Sequence, residues 1–116
     1  MSLSFNISIH PEGVVVLSLK GKIISDQPFD ELIEVIETKI QTGEKSFLID
    51  LKEVSHINSS GLNVLLRIFT RIRNKAGEMV LINPSRTVSK LLTISKLNTV
   101  FKMAKTEKEA LQLLKL

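Results

Sequence analysis

Ile49-Asp50-Leu51-Lys52-Glu53-Val54-Ser55-His56-Ile57-Asn58-Ser59-Ser60-Gly61-Leu62 is the stretch on which the reading of this chain turns. It continues a short, nearly unbroken apolar run, Ser46 to Leu51 (Ser-Phe-Leu-Ile-Asp-Leu). Such a run predicts a central strand covered on both faces, because a solvated face would show polar residues at every second position. Lys52 to Asn58 then reads as a loop. A helix is predicted to begin near Ser59 or Ser60, with Leu62, Leu65, Leu66, Phe69 and Ile72 as its apolar stripe. Two hydroxyls and a glycine therefore stand at the amino end of a helix, beyond the carboxyl end of a central strand. In open α/β sheets that is where ligands commonly bind.

Working outward, Phe5, Ile7 and Ile9 alternate with Asn6 and Ser8, which predicts a half-buried strand. His10-Pro11-Glu12-Gly13 is a turn, and Val14 to Leu19 is a second, β-branched strand, so the chain opens with a hairpin. Gly21 interrupts the pattern, and Lys22-Ile23-Ile24 continues or kinks it. Asp26 is a candidate N-cap, and Pro28 suits a first helical turn, where its missing N–H has no partner anyway. Phe29, Leu32, Ile33, Ile36 and Ile40 follow at helical spacing opposite Asp30, Glu31, Glu34 and Glu37, and Gly43 closes that helix.

After the second helix, Gly77 is its expected terminator, and Met79 to Ile82 reads as a buried strand. Asn83-Pro84-Ser85 turns into a third helix with Val88, Leu91 and Leu92 inward. Thr99 to Met103 is a short candidate edge strand. Thr106-Glu107-Lys108-Glu109 has the form of a capping box that opens a last helix through Leu111 and Leu114. The order β-β-α-β-α-β-α-(β)-α predicts an α/β fold: a single mixed β-sheet with an N-terminal hairpin and helices packed on the sheet. No linker or repeat divides residues 1–116, so one domain is expected.

Composition narrows the function. The chain has 116 residues, 43% hydrophobic and 24% charged, which is ordinary for a globular domain. It has no cysteine, so disulfides, thiolate metal sites and cysteine nucleophiles are excluded; a cytoplasmic location fits. The two histidines, His10 and His56, offer no metal-ligand spacing, and neither a metal nor another cofactor is expected. No apolar run is long enough to span a bilayer, and no signal-peptide pattern opens the chain, so no membrane insertion is expected. The net charge of +4 hides an asymmetry: residues 1–66 hold five lysines against nine acids, and residues 67–116 eleven Lys and Arg against three acids. The basic residues form no run and have no interleaved aromatics of the ribonucleoprotein type, so solvated helix faces are expected in place of direct nucleic-acid binding.

An enzyme is not expected. The Gly-x-Ser-x-Gly spacing of a nucleophile elbow is absent, no paired carboxylates or phosphate-cradling glycine loop occur, and His56 reads as a loop residue. Taken alone, Asn58-Ser59-Ser60-Gly61 reads as an ordinary helix cap. The same helix start would nonetheless tolerate a phosphate on Ser59 or Ser60, since its free N–H groups and positive dipole end favour an anion.

Ile49 to Leu62, followed by Gly77-Glu78-Met79-Val80-Leu81 and by Lys90-Leu91-Leu92 through Leu97, resembles the STAS domain of bacterial anti-sigma factor antagonists. The resemblance spans nearly the whole chain, hairpin and Gly21 included, and is strongest at the Asp-Leu, x-x-Val, Asp/Asn-Ser-Ser/Thr-Gly-Leu pattern. It implies a STAS-like α/β sheet and a protein-protein interaction module switched by phosphorylation, involved in signalling and transcription regulation. The residue before the glycine, here Ser60, is implied as the phosphoacceptor of a cognate anti-sigma factor serine kinase, and a PP2C-type phosphatase removes the phosphate. The unphosphorylated form binds the kinase, and the sigma factor is released. Asn58, Ser59, Gly61 and Leu62 are implied as partner-binding neighbours. The family often has Asp where this chain has Asn58. It often has a partner-contacting Asp at the position of Ile24, the acid here being displaced to Asp26. STAS domains also serve as accessory subunits of lipid or anion transport ATPase complexes and as stressosome-type scaffolds, which are the alternative readings.

Overall fold

A computed structural model describes residues 3–24 and 29–114. The opening hairpin pairs β1 (Ser4–Ile9) with β2 (Val15–Ile23) antiparallel, Ser4 opposite Lys20 through Ile9 opposite Val15. From there α1 (Asp30–Gln41), β3 (Ser46–Ile57), α2 (Ser59–Asn74), β4 (Glu78–Ile82), α3 (Arg86–Ile94), β5 (Lys102–Ala104) and α4 (Glu107–Leu114) follow in turn, with a 3₁₀ turn at Leu97–Thr99. β2, β3, β4 and β5 are parallel neighbours, so the sheet runs β1-β2-β3-β4-β5 in chain order. This is the expected mixed α/β sheet.

Three successive parallel connections stepping the same way across a sheet, each right-handed, put their helices on one face. The core agrees: Leu32 and Ile36 of α1, Leu65 and Ile68 of α2, and Val88 and Leu92 of α3 join Leu17, Phe47, Ile49, Leu51 and Leu81 in one buried cluster. A smaller cluster on the opposite face joins Leu48, Val80 and Ile82 to Ala110 and Leu114 of α4. Phe47, Leu48 and Ile49 are all 0% exposed, which explains why β3 starts as an unbroken apolar run.

Several boundaries differ from the sequence reading. Lys52 to Ile57 is strand, not loop: β3 runs six residues further and places His56 within the ladder, opposite Lys22. The pairing with β2 skips one β3 residue between Asp50 and Glu53 and another between Val54 and His56. These two bulges turn Leu51, Val54 and Ile57 onto the same buried face, although they recur every third residue. A period-two search therefore sees no strand there. Asp50 supports the first bulge by accepting a 2.9 Å bond from the Lys52 N–H.

Gly77 is not the left-handed residue that ends α2. Ala76 takes that conformation (φ 62°), while Gly77 is required for space, since a Cβ there would lie 2.7 Å from the Lys45 carbonyl oxygen. The last strand is confined to Lys102–Ala104, because Leu97–Thr99 closes into the 3₁₀ turn. The expected caps at Asp26 and Pro28 lie outside the described residues; α1 starts at Asp30 after Phe29, which makes no side-chain cap bond. At the last helix Thr106 Oγ1 accepts from the Glu109 N–H at 3.1 Å, as its capping pattern predicts.

Candidate functional site at the start of the second helix

The site begins with the backbone. β3 ends at Ile57, and Asn58 takes extended geometry (φ −115°, ψ −176°) as the N-cap of α2. Its side-chain oxygen accepts from the Gly61 N–H at 2.8 Å, and its carbonyl accepts the first helical bond from Leu62 N–H at 2.9 Å. The Asn58 N–H donates to the Ile23 carbonyl at 3.3 Å, which ties the helix start to the end of β2. Asparagine performs this cap as aspartate would, through the same acceptor oxygen and without the charge.

Ser59, Ser60 and Gly61 are then the first three helical residues. Both serines are exposed, and the Ser60 hydroxyl makes no hydrogen bond to another described residue. The capping oxygen takes the third amide, so the Ser59 and Ser60 N–H groups have no acceptor among the described residues. No acidic residue occupies the first turn, while Arg71 and Arg73 sit in the last. The helix dipole thus favours added negative charge at this start, and nothing within the first turn cancels it.

Gly61 and Leu62 are buried, Leu62 to 5% exposure. A Cβ at position 61 would fall 2.1 Å from the Ile23 carbonyl oxygen and 2.8 Å from Ile57 Cγ1. Glycine is what lets α2 sit directly on the β2 end, and Leu62 anchors it into the core. Of the residues singled out in the sequence, Asn58, Ser59 and Ser60 form the accessible ridge, while Gly61 and Leu62 seat it from beneath. Asp26 lies outside the described residues.

Sequence reasoning missed Ile23, whose carbonyl is the strut for the site. Its signal was Gly21 (φ 105°), two residues earlier, where the pairing of β2 with β3 shifts register and the strand bends. Ser55 fastens the same bend with a 3.3 Å bond to the Gly21 carbonyl, and its hydroxyl lies 3.1 Å from His56 Nδ1. Neither makes His56 a base for Ser60, since no contact joins those two side chains among the described residues. No group of three or more candidate metal ligands occurs there either, and no helix is long and apolar enough to cross a membrane.

The chain thus combines a mixed sheet, helices of three successive crossovers on one face, and a capped Ser-Ser-Gly helix start beyond a bulged central strand. The chain belongs to the STAS domain family, whose match covers residues 7–110. It is 28% identical to the anti-sigma F factor antagonist of Paenibacillus polymyxa over 104 residues, 88% of this chain and 87% of that protein. BtrV of Bordetella bronchiseptica, a provisionally assigned anti-sigma factor antagonist, is 25% identical over 99 residues, 85% of this chain and 84% of its own length. Among solved structures, the anti-sigma factor antagonist SpoIIAA in its unphosphorylated form superposes with a TM-score of 0.76 at 28% identity, covering 93% of each chain. The Bacillus SpoIIAA in its phosphorylated form does so with a TM-score of 0.72 at 26% identity, over 97% of this chain and 100% of its own.

Proposed function

We propose that this chain is an anti-sigma factor antagonist: a cytoplasmic, non-catalytic module that binds an anti-sigma serine kinase when unphosphorylated and so releases a sigma factor. Ser60 is the phosphoacceptor, Asn58 and Ser59 complete the contact ridge, and a PP2C-type phosphatase resets the switch. The observation that carries this reading is the exposure of Ser60 as the second residue of a helix whose first turn holds free N–H groups and no acid. Membership of the STAS family and the existence of similar SpoIIAA structures in unphosphorylated and phosphorylated forms support it.

The physics of the switch needs no large movement. A phosphate adds about −1.5 to −2 charges and three acceptor oxygens at one hydroxyl. On the free chain the helix start stabilises that charge. Against a kinase surface packed onto the same ridge, the charge is desolvated and lacks a partner, and a loss of ~3 kcal/mol weakens binding by more than a hundredfold. The modification therefore disfavours the complex and leaves the fold alone.

The test is the intact mass and phosphosite map of the protein from its own cells, followed by affinity for the anti-sigma serine kinase of the same organism. A single phosphate on Ser60 is expected. Ser60→Asp should lose at least about a hundredfold in kinase affinity, and Ser60→Ala should bind constitutively. A chain never phosphorylated in any growth condition, copurifying with a transport ATPase, overturns the reading in favour of a transporter accessory subunit.

A further inference from the structure

The free edge of β1 carries a second surface, independent of the helix start. The His10 N–H donates to the Val14 carbonyl at 2.7 Å, and the hairpin register continues without a shift from there to Ser4 opposite Lys20. Bonded and non-bonded pairs alternate in an antiparallel ladder. Ser4, Asn6 and Ser8 therefore direct their backbone groups at β2, and Phe5, Ile7 and Ile9 direct theirs at the open side. No described element pairs with that side, because β1 ends the sheet.

Edges of this kind are usually blunted by charge, proline or a bulge. The opposite edge is: β5 has only three residues, and its Lys102 is 2.6 Å from the Glu78 carboxylate. Ser-Phe-Asn-Ile-Ser-Ile of β1 has no charge, no proline, no glycine and no bulge. Ile9 is left 47% exposed.

We propose that β1 pairs antiparallel with β1 of a second copy, about a two-fold axis through Asn6, joining two sheets into one of ten strands. This register sets Phe5 of each copy opposite Ile7 of the other and Leu3 opposite Ile9, all at positions whose N–H and C=O groups point outward. Leu3, Phe5 and Ile7 already pack against the core on the helix-covered face, and the partner's Leu3 covers Ile9. On the other face Ser4 meets Ser8 and Asn6 meets Asn6, so no like charges oppose each other. A two-fold through Ile7 is inferior, because it would set Leu3 against Pro11, which has no N–H to donate.

The experiment is sedimentation velocity over roughly a hundredfold range of protein concentration, where a dimer must rise by mass action. Asn6→Lys changes only an exposed side chain and sets two lysines face to face across the axis. It should raise the dimer dissociation constant by about fivefold or more, and mixing it with Asn6→Asp should restore dimers. Because the chain has no cysteine, Asn6→Cys should cross-link to itself on mild oxidation, whereas Ser8→Cys should not, its two copies lying about 14 Å apart along the ladder. A monomer at every concentration, a dimer indifferent to Asn6→Lys, or cross-linking through position 8 and not 6 each overturns the proposal. None of these outcomes bears on Ser60.

Discussion

At the scale of single residues, the helix start divides its labour between a cap, an exposed pair of hydroxyls and a spacer. Asn58 satisfies the third amide of α2 and leaves the first two open. Removing that cap in Asn58→Ala should cost about 1 kcal/mol, read as a lower urea midpoint at unchanged m-value, while Asn58→Asp should be neutral or slightly stabilising through the dipole. Gly61 is a harder constraint. The atom a Cβ would strike is the Ile23 carbonyl oxygen at 2.1 Å, which is backbone and cannot rotate away. Gly61→Ala should therefore destabilise the fold by about 3 kcal/mol in the same titration and displace Ser60 from its setting. The spacing Asn-Ser-Ser-Gly was visible in the sequence, but the reason for its glycine was not. That reason is a carbonyl 38 positions earlier, brought close only by folding.

Among the elements, β3 and the end of α2 show where periodicity misleads. Leu51, Val54 and Ile57 share a buried face because two bulges absorb the extra residues between them. Alternation assumes an unbroken pleat, so it stops at Leu51, although the ladder continues to Ile57. The close of α2 misleads differently: a glycine stands beside the turn, but the left-handed residue is Ala76. Ala76→Gly should then stabilise the protein, or at worst be neutral, by relieving a strained φ of 62°, with a gain of up to about 1 kcal/mol. Gly77→Ala should destabilise it by about 2 kcal/mol, since the new methyl would press on the Lys45 carbonyl and on Ile72 at 2.8 Å. Thermal or urea unfolding of the two variants should move in opposite directions; the reverse order would mean that Gly77 carries the turn.

For the whole molecule, the exposed helix start proposed as the switch is mechanically separate from the core. Ser59 and Ser60 are exposed, and the residues that hold them, Ile57, Gly61 and Leu62, are already packed. Ser60→Asp should accordingly leave the unfolding free energy within about 0.5 kcal/mol of wild type while abolishing partner binding. A variant that lost both would place Ser60 in the fold and not in the interface. The sequence by itself determined the element order, the helix start at Asn58–Gly61, the Asn58 and Thr106 caps and the STAS resemblance. All of these rest on local chemistry: period, side-chain size and cap type within a few residues. Tertiary structure alone decided the length of β3, the duty of Gly77, the Ile23 strut and the open, uncharged edge of β1. Each of these depends on which atoms of a distant segment lie within a few ångströms, and a local pattern carries no information about that distance.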